Sequence, residues 1–173
     1  AEYPAQTNYL YMTYNATSHV VFHTNNSVLV LVSGSYKIGS SVEFDWCCVH
    51  AALTASKLGY QTIMLNFNPE TVSTDYDMSD RLYFENLSFE TVADIYEFEN
   101  ALGLIISVGG QRPNNLAKKL SAAGFNILGT KAADIDRAED RNAFSALLDE
   151  LDILQPRWQS FISKSAAESF AKK

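Results

Sequence analysis

Apolar residues along this chain gather in short blocks divided by polar, glycine-bearing loops, and strand-sized blocks alternate with helix-sized ones. Val28-Leu29-Val30-Leu31-Val32 is a continuous apolar run, the pattern of a parallel strand covered on both faces. A loop over 33–41 follows, and Val42 to Leu58 then reads as a helix stopped by Gly59. Thr62 to Asn66 is the second strand, with the polar loop Asn68-Pro69-Glu70-Thr71-Val72-Ser73-Thr74-Asp75 directly beyond it. Arg81 to Glu85 is a short strand. Ser88 is placed to cap a helix over 89–99, with Thr91 where a capping-box glutamate would stand. Gly103 to Val108 is a buried strand ended by Gly109-Gly110-Gln111. Asn114 to Gly124 is an amphipathic helix closed by its glycine. Phe125 to Gly129 completes the series as a further strand.

The order strand, helix, strand, helix, strand, helix, strand predicts an α/β fold with a doubly wound parallel sheet. In such sheets ligands collect outside the carboxyl ends of the strands. The candidate site is therefore built from the loops at 33–41, 67–75 and 109–114. Beyond the sheet, residues 138–151 form a helical stretch with Phe144, Leu147, Leu148 and Leu151 on one stripe. Gln155-Pro156 ends it, and 164–172 suits a further short helix. A boundary near residue 137 divides the chain into an extended N-terminal segment (1–24), an α/β domain (25–137) and the start of another unit (138–173). In the first segment, Tyr9 and Tyr11 share a side of an extended chain, with a neighbouring domain as one surface to receive them.

Composition narrows the function. The 173 residues are 47% hydrophobic and 19% charged, enough for a real core and unlike a disordered chain. A net charge of −7 repels phosphate backbones, so no nucleic acid is expected as a partner. No apolar run approaches the roughly 18–20 residues of a membrane helix, and no membrane partner is expected. The N-terminus lacks the basic start and apolar core of a signal peptide. It also lacks a Met, as a segment cut from a longer chain would. The two cysteines, Cys47 and Cys48, are adjacent in an apolar stretch and read as buried thiols in a reducing compartment.

Candidate chemistry lies in the loops. Gly34-x4-Gly39-Ser40-Ser41 has the outline of a phosphate loop, but Ser40 stands where its lysine belongs. Val32 replaces the first glycine of a dinucleotide turn. A tight turn leading into the helix is the better reading. Glu43, in the first turn of a helix, and Glu70 each sit just past a strand end. There they serve either as caps and loop acceptors or as a pair of acids lining a shared cavity. His19 and His23 are four apart but flank strand-favouring Val20-Val21-Phe22, so no metal site is expected. His50 reads as a packed residue rather than a base.

Longer strings carry a resemblance. Tyr36-Lys37-Ile38-Gly39-Ser40-Ser41-Val42-Glu43-Phe44-Asp45-Trp46-Cys47-Cys48 resembles the first strand–turn–helix of the carbamoyl phosphate synthetase large subunit. Asn68 to Asp77, Asp80 to Glu85, Gly109-Gly110-Gln111 and Ile135 to Arg141 are similar to later landmarks of the same domain. The likeness runs from about Tyr9 to Pro156. It is nearest to the second, carbamate-phosphorylating half of eukaryotic, and among them fungal, members. Val32 stands for a usual glycine, Lys37 for a usual arginine, and Lys131-Ala132 for a usual Ser-Pro.

The resemblance implies a Rossmann-like pre-ATP-grasp domain, with the first helices of an ATP-grasp domain from about residue 138. It implies a parent ligase that makes carbamoyl phosphate from bicarbonate, glutamine-derived ammonia and ATP, for arginine or pyrimidine synthesis. Mg²⁺ and ATP would serve the full enzyme; none is expected in this chain alone, which would be inactive. Glu43, Glu70 and Gln111 match residues along the carbamate path, and Arg141 matches an arginine that reaches ATP, a role suited to a planar permanent cation. No catalytic or metal-ligating residue is expected in this segment. The partners implied are the rest of the large subunit, including its ATP-grasp domains, and a glutaminase subunit or domain. The compartment would be cytoplasmic, with mitochondrial as the alternative. Two other readings compete: the leading domain of another ATP-grasp ligase such as biotin carboxylase, and a stand-alone nucleotide-binding regulatory module.

Overall fold

The computed structural model describes residues 9–19, 25–36 and 42–172. They divide into two compact units, residues 1–135 and 136–173. The first unit carries a six-stranded sheet: β1 (Tyr9–Leu10), β2 (Ser27–Leu31), β3 (Gln61–Leu65), β4 (Arg81–Tyr83), β5 (Gly103–Ile105) and β6 (Ile127–Leu128). Spatial order is β1-β4-β3-β2-β5-β6, and every pairing is parallel. The chain runs outward from β2 through β3 to β4, then returns to the other side of β2 for β5. That reversal places a topological switch between β2 and β5, where parallel sheets open a crevice at their carboxyl ends.

Alternation along the strands decides which side chain serves which face. Leu29, Leu31, Ile63, Leu65, Tyr83, Leu104 and Ile106 point to one side, where α2 (Phe89–Glu99) brings Val92 and Ile95, and α3 (Gln111–Ala122) brings Ala117 and Leu120. Val30, Val32, Met64 and Leu82 point to the other and meet Cys48 and Ala52 of α1 (Val42–Lys57). Helices therefore cover both faces, as the doubly wound reading requires. Coverage on the α1 face is thinner. Ile105 and Val108 there are only partly buried, and Trp46, Leu58 and Leu102 stand exposed beside them.

Local chemistry sets the ends of these elements. Ser88 Oγ accepts the Thr91 amide at 3.1 Å, the expected cap of α2. Asn100 closes α2 in the left-handed region at φ 48°. Helix α3 begins at Gln111, not Asn114, because Pro113 falls in its first turn, where a missing N–H costs nothing. Strands β5 and β6 are shorter than the apolar runs that announced them. Tyr9–Leu10 pairs with β4, so the tyrosine-rich segment begins by extending this chain's own sheet, while Tyr11 and Tyr14 stand exposed.

The stretch foreseen as one helix over 138–151 is two. Helix α4 (Ala132–Glu139) ends at Asp140, whose extended backbone and side chain cap α5 (Arg141–Glu150) by accepting the Ala143 amide at 2.8 Å. Helix α6 (Lys164–Ala171) is capped the same way by Ser163. Inside the second unit, Arg137 bridges Glu150 at 2.6 Å, and Asp149 accepts from both Gln155 and Trp158.

Candidate functional site

The carboxyl ends of β2, β3 and β5 bring three stretches together. Glycine marks two of their closest approaches. Gly34 has φ +71°, and a Cβ there would lie 2.3 Å from the Phe67 ring. A Cβ on Gly109 would lie 2.2 Å from the Leu31 carbonyl oxygen. The turn after β5 therefore presses directly on the end of β2, as only a residue without a side chain can. Across Gly110, Phe44 of α1 sits in contact range, and the Arg112 guanidinium lies 5.0 Å from the centre of the Phe67 ring. Residues 33–36, 66–75, 109–112 and the first turn of α1 form one neighbourhood.

Its frame is polar and buried. Asn66 is fully inaccessible. Its amide donates to Thr71 Oγ1 (3.1 Å) and Ser73 Oγ (2.9 Å), while Oδ1 accepts from the Phe67 and Asn68 amides at 2.9 and 3.3 Å. Asn68 repeats the device one step on: Oδ1 accepts the Glu70 amide at 3.1 Å, and its side-chain amide donates to the Gly34 carbonyl at 3.4 Å. Thr71 and Thr74 both donate to the Asn68 carbonyl. From α1, Asp45, only 2% exposed, accepts the Ser73 amide on Oδ2 at 3.2 Å. The loop that carries Glu70 is thus tied from inside by two asparagines and from across the site by an aspartate. Asp45 Oδ1 and Ser33 Oγ are buried without a partner among the described residues.

Electrostatics at this edge are negative. Glu43 and Asp45 both lie in the first turn of α1, where the helix N-terminus stabilises carboxylates. Burial, and then the charges of Asp45 and Glu43, push the Tyr36 phenol above its ordinary range, so it stays a neutral donor. Burial does the same to the Cys48 thiol, reinforced by Asp45 and Cys47; it rests against the Leu31 carbonyl and is no nucleophile.

The expected site residues fall as follows. Glu43 stands exposed on α1, one residue before the Phe44 that meets Gly110. Glu70 is exposed, with its backbone held by Asn68. Gln111 is the first residue of α3 and exposed, so the third loop ends at Gly110; its amide donates to Asn115 along the helix at 2.9 Å. Arg141 is the exposed first residue of α5 in the second unit, next to the cap Asp140. Val32 does not project into the loop: its side chain is turned into the cluster beneath α1.

Lys37 and the rest of the glycine–serine turn over 37–41 lie outside the described residues, as does His23. His19 packs on Phe98 at 4.6 Å. Contrary to expectation, His50 is exposed, its ring tilted against Trp46 at 4.1 Å, and Cys47 is only half-buried. No cluster of three or more metal-ligating side chains occurs among the described residues. No helix among them is long and apolar enough to cross a membrane.

A sequence model of the carbamoyl phosphate synthase pre-ATP-grasp domain matches residues 24–137. This chain belongs to that family. The mitochondrial arginine-specific large chain of carbamoyl phosphate synthase from Schizosaccharomyces pombe is 56% identical over 99% of the chain, which spans 15% of that protein. The arginine-specific large chain of Eremothecium gossypii is 58% identical over 98%. Multifunctional protein CAD of Squalus acanthias is 54% identical over the whole chain, which spans 8% of its length. This pre-ATP-grasp chain therefore covers only a small part of each relative.

Among solved structures, the biotin carboxylase domain of a single-chain bacterial carboxylase superposes with a TM-score of 0.60 at 14% identity, covering 85% of this chain and 34% of the other. A 2-oxoglutarate carboxylase biotin carboxylase domain from Hydrogenobacter thermophilus, solved with MgADP and bicarbonate, gives 0.61 at 16% identity, covering 85% and 32%. At that identity the likeness is one of fold. A biotin carboxylase origin for this chain is not favoured, because the matching family model is the synthase pre-ATP-grasp domain and the relatives above are synthase large chains and a multifunctional protein.

The sequence reading missed Asp45, Asn66, Asn68 and Tyr36. The signal for Asp45 was an acid interrupting the apolar run Phe44 to Val49; for Asn66, a strand ending in a side chain able to mimic a turn.

Proposed function

We propose that this chain is the pre-ATP-grasp domain of the carbamate-phosphorylating half of a carbamoyl phosphate synthase large chain, and that its strand-end loops line the path taken by carbamate. The observation that carries this reading is the shared neighbourhood of Glu43 and Glu70. One acid stands in the first turn of α1 and the other on the loop after β3, the two joined by one buried hydrogen-bonded frame, in a chain whose relatives include synthase large chains. A reactive intermediate that must not meet bulk water needs walls that do not rearrange as it passes, and a preorganised polar lining supplies them. Glu43, Glu70 and the first residue of α3, Gln111, are the groups offered to that path; the parts of the enzyme that close over them lie outside this chain.

MgATP belongs to the full enzyme. From this chain it would receive one contact, Arg141, whose exposed guanidinium stands at a helix start. The described residues supply no metal-ligating cluster. Residues 138–173 open the ATP-grasp unit in this reading, with the remaining large-chain domains and a glutaminase as partners. For its compartment the reading takes the cytoplasm, with the mitochondrion as the alternative because the Schizosaccharomyces pombe relative is named mitochondrial.

The test uses the full-length synthase. Glu43→Ala and Glu70→Ala should lose carbamoyl phosphate output while bicarbonate-dependent ATP hydrolysis survives within roughly twofold. Unchanged output in both variants would refute the channel role.

A further inference from the structure

Two acids on different elements can bound one path only if those elements keep a fixed register. Glu43 rides on α1 and Glu70 on the loop after β3. Within that loop the bonds are mostly local: Asn66 and Asn68 set the turns, and Thr71 and Thr74 close them. Two longer-range bonds anchor it elsewhere, Asn68 donating to the Gly34 carbonyl after β2 and the Tyr9 hydroxyl of β1 donating to the Thr74 carbonyl; neither reaches α1. Among the hydrogen bonds of the described residues, one ties the loop to the first turn of α1: the Ser73 amide donating to Asp45 Oδ2. Asp45 lies two residues after Glu43, is buried to 2% exposure, and leaves its other oxygen without a partner among the described residues. An aspartate kept inside with half its acceptor capacity unused costs free energy that a well-packed apolar residue would not. The bond it does make is its evident structural return.

We infer that Asp45 is a positioning residue, which sets the register between the helix turn bearing Glu43 and the loop bearing Glu70 and so keeps carbamate from escaping. The inference rests on the channel reading above. Asp45 touches no substrate in this account; it acts through the Ser73 backbone.

The experiment measures ATP hydrolysed per carbamoyl phosphate formed by the full-length synthase. Asp45→Ala should raise that ratio at least roughly threefold, since displacement of a guiding group by about an ångström is enough to spoil a reaction coordinate. Bicarbonate-dependent ATP hydrolysis should stay near wild type. Asp45→Asn keeps an oxygen able to accept the Ser73 amide and should restore the wild-type ratio. A merely structural role would lower both activities together, and asparagine would not selectively rescue coupling. A wild-type ratio in Asp45→Ala, or equal uncoupling in Asp45→Asn, overturns the inference.

Should Asp45→Ala fail to fold, Asn66→Asp carries the test. It keeps the acceptor for the Phe67 and Asn68 amides but loses the donor to Thr71 and Ser73. It should raise the ratio, and a wild-type value counts against the proposal. Glu43→Ala and Glu70→Ala run alongside. If they leave the ratio unchanged, the channel reading itself has failed. If they raise it while Asp45→Ala does not, only the positioning role has failed.

Discussion

Residues 1–135 and residues 136–173 satisfy the same physical demands by different means. The first unit buries what it orders. Two apolar clusters sandwich the sheet, and the acid buried on α2 is paired. Glu99, fully inaccessible on α2, accepts from Arg81 and, at 2.5 Å, from the Tyr83 hydroxyl, whose proton burial and that bond hold well above its usual range. The second unit is specified by caps and side-chain bonds. Asp140 and Ser163 start its helices, and Asp149 gathers Gln155 and Trp158. Yet α5 and α6 bury no residue, and Leu154 and Ile162 are fully exposed. Helices of 10 and 8 residues are marginal without tertiary burial. Hydrogen bonding can fix where a helix begins; it takes apolar contact to make that helix stay.

That contrast can be broken at either end. The largest effect is expected at Glu99. Glu99→Ala removes the buried acceptor shared by the Arg81 guanidinium and the Tyr83 hydroxyl and should cost about 3–5 kcal/mol of the chain's stability, read by chemical denaturation. A loss under roughly 1 kcal/mol would mean that water already reaches the pair. The smallest effect is expected in the second unit, where Leu154→Asp should move the same transition by no more than about 0.5 kcal/mol. A larger loss would show that the side chain is covered by something in solution.

Much of the first unit was legible because its strands and helices obey periodicities that sequence displays directly. The odd and even positions of Val28 to Val32 went to opposite faces as alternation dictates, and Ser88 capped α2 where the side chain allowed it. What escaped notice depended on partners distant in the chain. The Tyr9 strand is too short to announce itself and exists because β4 offers an edge. The break between α4 and α5 came from Asp140 choosing to cap a new helix over continuing the old one, a competition that a stripe of leucines conceals. At the candidate site, the loops were foreseen from the strand ends. The brace was not, because Asp45 is hidden among aromatic and cysteine neighbours, and its role is visible only once Ser73 is seen across from it.

The claim on which the account turns is that Asp45 serves the path through the loop that Glu70 occupies. A double-mutant cycle in the full-length synthase tests it most directly, with Asp45→Ala, Glu70→Ala and the combination compared by ATP hydrolysed per carbamoyl phosphate formed. If Asp45 acts through that loop, the double variant should leak no more than Glu70→Ala alone. A double variant whose leak is the product of the two single effects would contradict it.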